Sequence, residues 1–141
     1  MAYVSQEMKA KLAPTIKAVL KKYKVKGTLA VRNHSTLVVN IKEGAIDFIE
    51  NFIETDIKKP HGGKMADDQV AYIRKHRSLD VNTYWIQDHY SGKAKSFLLE
   101  LKAAMEGTEF FCEDDAMTDY FHRSHYIDIN IGNWKKPYVV V

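Results

Sequence analysis

The chain has 141 residues, 45% hydrophobic and 28% charged, with one cysteine and a formal net charge of +3. That length suits a single domain, 1–141, with enough interior to fold without staples, and the proportions are those of a globular protein. The lone Cys112 excludes an internal disulfide and points to a reducing, cytoplasmic setting. No apolar run is long enough to cross a bilayer, so no membrane partner is expected.

Charge is unevenly spread. Residues 1–26 hold seven lysines against Glu7, whereas 106–128 hold seven acids against Arg123. Such asymmetry is informative about partners rather than about fold.

Ser5 is a suitable N-cap for a first helix running to about Tyr23 or Lys24. Met8, Leu12, Ile16, Val19, Leu20 and Tyr23 fall on one arc of it, and the lysines spread over the opposite arc. Pro14 keeps the stripe in phase, which predicts a kink rather than a break. Gly27 suits the helix C-terminus. The stretch GTLAVRNHSTLVVNI, 27–41, then reads as a β-hairpin. Two β-prone runs flank the polar cluster Arg32-Asn33-His34-Ser35, where Asn tolerates a left-handed backbone. Leu37, Val39 and Ile41 share one face, with Leu29 and Val31 as partners across the pair.

A second helix is expected over 45–54, with Ala45, Phe48, Ile49, Phe52 and Ile53 facing inward. Residues 55–68 form a loop containing Gly62-Gly63-Lys64, which lacks the spacing and following hydroxyl of a phosphate-binding loop. A short helix over 67–77 ends in the basic patch Arg74-Lys75-His76-Arg77, and the β-prone run 81–86 is a candidate fourth strand. Ser91-Gly92 cap a helix over 93–105 with Ala94, Phe97, Leu98, Leu101, Ala104 and Met105 inward and Leu99 on the far side. Ile127, Ile129 and Ile131 alternate with Asp128, Asn130 and Gly132, the mark of a strand buried on one face. The β-prone tail 138–141 is expected to pair with something. These elements predict an α+β fold: an antiparallel sheet of three or four strands with helices packed on one face.

The hairpin KGTLAVRNHSTLVVNI, 26–41, and the closing run YFHRSHYIDINIGNWKKPYVV, 120–140, resemble small proteins of tailed phages and plasmids, in particular a large-polyvalent-protein-associated domain. The likeness covers about a third of the chain. It implies an accessory protein of a phage or mobile element, directed at host or defence machinery by binding rather than by catalysis. It supplies no catalytic residues to carry over, and no cofactor is expected.

Three constellations compete. The acidic segment 106–123 carries aromatic anchors, and Asp114, Asp115, Asp119 and Tyr120 are its candidate contacts to a basic host or defence protein: charge steers the encounter and the rings supply burial. Alternatively, Lys17, Lys21 and Lys24 of the first helix bind nucleic acid through phosphate contacts. A third reading makes the chain a phosphoesterase acting on cyclic nucleotides or RNA ends. His34 with Thr36 and His122 with Ser124 each fit His-x-Ser/Thr, in which one imidazole serves as base and the other as acid. Asp119, His122, His125 and Asp128 have the residue types of a metal site but fall in a region read as loop and strand, so no metal is expected.

Overall fold

The computed structural model describes residues 4–57, 66–107, 125–133 and 135–140. Helix α1, Gln6–Lys22, begins where Ser5 caps it: the Ser5 hydroxyl accepts from the Met8 backbone N–H at 3.0 Å. Pro14 stands inside this helix, which continues through it. Ile16 and Leu20 are buried, and Met8, Leu12, Val19 and Tyr23 pack partly against the same core.

Strands β1, Val25–Arg32, and β2, Thr36–Gly44, form the expected antiparallel hairpin, with Leu29 opposite Val39 and Val31 opposite Leu37. The turn is tight because Asn33 and His34 both adopt left-handed backbones, φ 55° and 57°, and Ser35 N–H closes it on Arg32 O at 3.3 Å. Two such residues in succession match the right-handed twist of the flanking strands. Gly27 has a different role from the one its position suggested. The helix ends at Tyr23, Lys24 supplies the left-handed residue with φ 57°, and Gly27 lies inside β1. There an added Cβ would come within 2.7 Å of Asn40 O, so the close approach of the two strands requires glycine.

Next come α2, Phe48–Ile57, α3, Asp67–His76, and β3, Leu79–Val81. The short α4, Ile86–His89, α5, Gly92–Glu106, β4, Tyr126–Ile131, and β5, Val139–Val140, complete the described elements. The fourth strand therefore lies upstream of the run 81–86: only Val81 of that run belongs to it, and Tyr84 and Trp85 are exposed beside α4. Leu99 is half-buried against the core rather than turned away from it.

The fold is α+β, and its sheet is mixed. The order is β1-β2-β4-β3 with β5 also on β2, and β2 runs parallel to both β4 and β5. The expectation of a purely antiparallel sheet of three or four strands is corrected in this respect. A hairpin dictates the sense of its own two strands, but β2 and β4 are separated by a long crossover through helices, which permits parallel pairing. The tail finds its partner where β5 meets Glu43 and Gly44.

Leu37, Val39, Ile41, Ile129 and Ile131 face the helices and join Ile16, Phe48, Ile53, Phe97 and Leu101 in one core. Phe97 stacks edge-on against Tyr23 at 5.3 Å and lies 5.4 Å from the Phe48 ring, so α1, α2 and α5 meet at one aromatic node. Tyr138 anchors the tail: its hydroxyl donates to Ile46 O at 2.6 Å.

Candidate nucleic-acid interface

The C-terminal half of α1 and the start of β1 build a solvent-open groove of about 570 Å³. Lys17, Lys21, Lys24 and Lys26 line it, over a floor of Leu20, Val25 and Gly27. Lys17 and Lys21, four residues apart, share one face of α1, and Lys24, just past the C-cap, lines the same groove. Leu20 and Val25 are almost fully buried, so the lysines stand on a firm base while their own side chains are exposed.

Local chemistry holds this geometry. Tyr23 N–H bonds Val19 O and Lys24 N–H bonds Lys21 O, which finishes the helix. The left-handed Lys24 then folds Val25–Gly27 back under α1, and the Lys24 carbonyl accepts from Ala45 N–H at 3.2 Å. The reversal is thus tied to the far end of the hairpin, and Lys26 is delivered to the same groove as Lys17, Lys21 and Lys24.

The opposite flank of α1 is neutralised. Lys22 Nζ lies 2.8 Å from Glu100 Oε1, and the Tyr23 hydroxyl donates to the other carboxylate oxygen. Both bonds hold the Glu100 carboxyl below its ordinary range, and the same carboxylate raises Lys22 and Tyr23 above theirs. Among the described residues, no ion pair holds Lys17, Lys21 or Lys24, whereas Lys26 pairs with Glu43 at 3.5 Å.

The structure therefore brings Lys17, Lys21 and Lys24 together and adds Lys26, which reaches the groove only through the chain reversal at Lys24. The other candidates fare differently. Asp114, Asp115, Asp119, Tyr120, His122, Ser124 and Cys112 lie outside the described residues, as does most of the loop 55–68. His34 is exposed in the hairpin turn, while Thr36 is buried at the start of β2 opposite Tyr126. His125 is almost wholly buried, with Nε2 2.9 Å from Met105 O. Since a carbonyl can only accept, that nitrogen carries the proton and ties β4 to the end of α5. Among the described residues no group of three or more His, Cys, Asp or Glu side chains could hold a metal, and no helix is long and apolar enough to cross a membrane.

The outer face of the sheet carries a second polar cluster that the sequence alternation marked only as wet. Arg32 Nη1 bonds Asp128 Oδ2 at 2.9 Å, and Asn130 Nδ2 donates to Asn40 Oδ1 at 3.2 Å. Partial burial and the neighbouring Asp128 carboxyl raise Asp80 above the usual aspartate range, with Arg32 opposing the shift. These groups largely satisfy one another across β1, β2, β4 and β3. The groove of lysines, by contrast, presents positive charge to solvent.

The fold and the groove define the class: an α+β domain with a cationic surface cleft. No family model, curated protein or solved structure matches the chain.

Proposed function

We propose that this protein binds nucleic acid, holding phosphates in the groove of Lys17, Lys21, Lys24 and Lys26. The observation that carries the reading is the convergence of four exposed lysines on one groove, three of them without an ion-pair partner among the described residues. A solvated helix face would scatter such charges. Here Lys22 is drawn off to Glu100 on one flank while Lys17, Lys21, Lys24 and Lys26 line one groove on the other. Closely placed like charges repel one another, and a bound polyanion relieves that repulsion while releasing its own counterions.

In this reading, the macromolecule engaged by a non-enzymatic accessory protein of a phage or mobile element is a nucleic acid, rather than the basic protein that the acidic segment 106–123 would suit. Fluorescence anisotropy with a labelled oligonucleotide duplex is the test. The wild type should bind in a salt-sensitive manner, and the triple reversal Lys17→Glu, Lys21→Glu, Lys24→Glu should abolish binding while leaving the circular dichroism spectrum unchanged. Wild-type protein that shows no salt-sensitive binding to DNA or RNA contradicts the proposal.

A further inference from the structure

The pairing of β1 with β2 runs in regular register from Arg32 opposite Thr36 down to Gly27 opposite Ile41, then shifts by one residue. Continued without the shift, Lys26 would face Lys42, two like charges directly across a strand pair. The irregularity places an extra residue in β2 and sets Glu43 opposite Lys26 instead. Bulges of this kind re-aim side chains at sheet margins. The result is an ion pair of 3.5 Å between the exposed Lys26 and the half-buried Glu43 at the rim of the groove. A pair that long and that wet contributes about 0.2–1 kcal/mol, little enough for a phosphate to displace.

The composition of the groove bears on what it can recognise. Among the described residues its lining consists of four lysines, two aliphatic side chains and a glycine. Base identity is read by the planar groups of arginine, asparagine or glutamine, by an acidic acceptor, or by lysine on guanine O6 and N7. Single strands gain affinity by stacking bases on aromatic rings. No planar, acidic or aromatic group is among its lining residues, and its lysines act on phosphate as point charges without directional demand.

We infer that the groove takes the phosphate backbone of a nucleic-acid duplex without reading its sequence, and that Glu43 is a built-in competitor which releases Lys26 to the incoming phosphate. This inference rests on the nucleic-acid reading and goes beyond it in naming the ligand form and a residue that sets affinity. Four contacts at most give a shallow salt dependence: log affinity against log salt has a slope of about −3 to −4 for a duplex. Removing one contact, as in Lys21→Gln, reduces that slope by about 0.9. Neutralising the competitor, as in Glu43→Gln, tightens binding by roughly 1.4- to 5-fold, the exposed ion-pair range expressed as affinity. In a Lys26→Gln background the same change has little effect, because no cation remains to be released.

The experiment is an anisotropy titration of the full chain against two unrelated duplexes of equal length and one single strand, over a range of salt. Wild type, Lys21→Gln, Glu43→Gln, Lys26→Gln and the Lys26/Glu43 double variant are compared, with thermal melts as a folding control. Equal affinity for the two duplexes, weaker binding to the single strand and a Glu43 effect that depends on Lys26 are the expected results. Preference for one duplex sequence or for the single strand overturns the backbone assignment while leaving nucleic-acid binding intact. A Glu43→Gln effect of equal size with and without Lys26 overturns the competitor role. Failure of every oligonucleotide to bind overturns the underlying reading as well.

Discussion

The two flanks of α1 carry the same kind of residue and put it to different uses. On one side, Lys22 and Tyr23 converge on Glu100 of α5, and the Tyr23 ring packs edge-on against Phe97. On the other, Lys17, Lys21 and Lys24 stand over Leu20 and Val25 and are joined by Lys26. The difference lies in what the neighbouring element offers. Helix α5 presents a carboxylate, so its flank becomes a joint within the fold; β1 brings another lysine, so its flank stays an exposed cationic surface. Adjacent positions in the sequence, Lys21 and Lys22, fall on opposite sides of this division.

The comparison breaks most severely at the aromatic node beneath the joint. Phe97 has no exposed surface and meets both Tyr23 and Phe48. Phe97→Ala should cost about 3–5 kcal/mol by loss of burial and creation of a cavity, read as a lowered urea midpoint. The groove should behave in the opposite way. Replacing Lys17, Lys21 and Lys24 together by Gln should lower duplex affinity by at least about tenfold at low salt. Because the three side chains are exposed, the urea midpoint should move by no more than about 0.5 kcal/mol.

A smaller effect should separate Lys22 from its neighbours. The folded Glu100 carboxyl titrates below its ordinary value of 4.5, chiefly through its bonds to Lys22 and Tyr23. Its contribution to stability is therefore present above that value and is lost as the pH falls through the lower folded one. Glu100→Gln should destabilise slightly at neutral pH, should lose that effect in acid, and should leave duplex binding unchanged.

The smallest effect is expected on the outer sheet face, where Asp80 meets Asp128, with Arg32 opposing. The folded Asp80 carboxyl titrates above its ordinary range, so its proton favours the fold in acid and that support is lost as the pH rises through the folded value. Asp80→Asn should therefore gain a few tenths of a kcal/mol, roughly, at neutral pH and nothing in acid, given how exposed the group is. Thermal melts across pH 3–7 as two series, one for each variant, check both directions of this argument and of the preceding one.

Much of this fold was legible because its signals are local. The turn Asn33-His34, the stripe of α5 and the alternation of β4 each depend on residues close in sequence. Strand sense between β2 and β4 was not, since alternation reports which face a residue takes and not which way its strand runs. Gly27 was misassigned because a glycine after a helix reads as a cap, while the left-handed position went to Lys24 and the glycine met a crowding carbonyl from β2. The candidate interface was half legible. Helical spacing grouped Lys17, Lys21 and Lys24, but Lys26 joins them only through the reversal at Lys24, and Glu43 only through the register shift in β2.

The division of α1 is tested most directly by lysine acetylation footprinting, read by mass spectrometry with and without a saturating duplex. The account predicts that the duplex protects Lys17, Lys21, Lys24 and Lys26, while Lys22 reacts slowly in both states because Glu100 already holds it. Protection of Lys22 equal to that of Lys21, or protection confined to lysines outside residues 17–26, would contradict it.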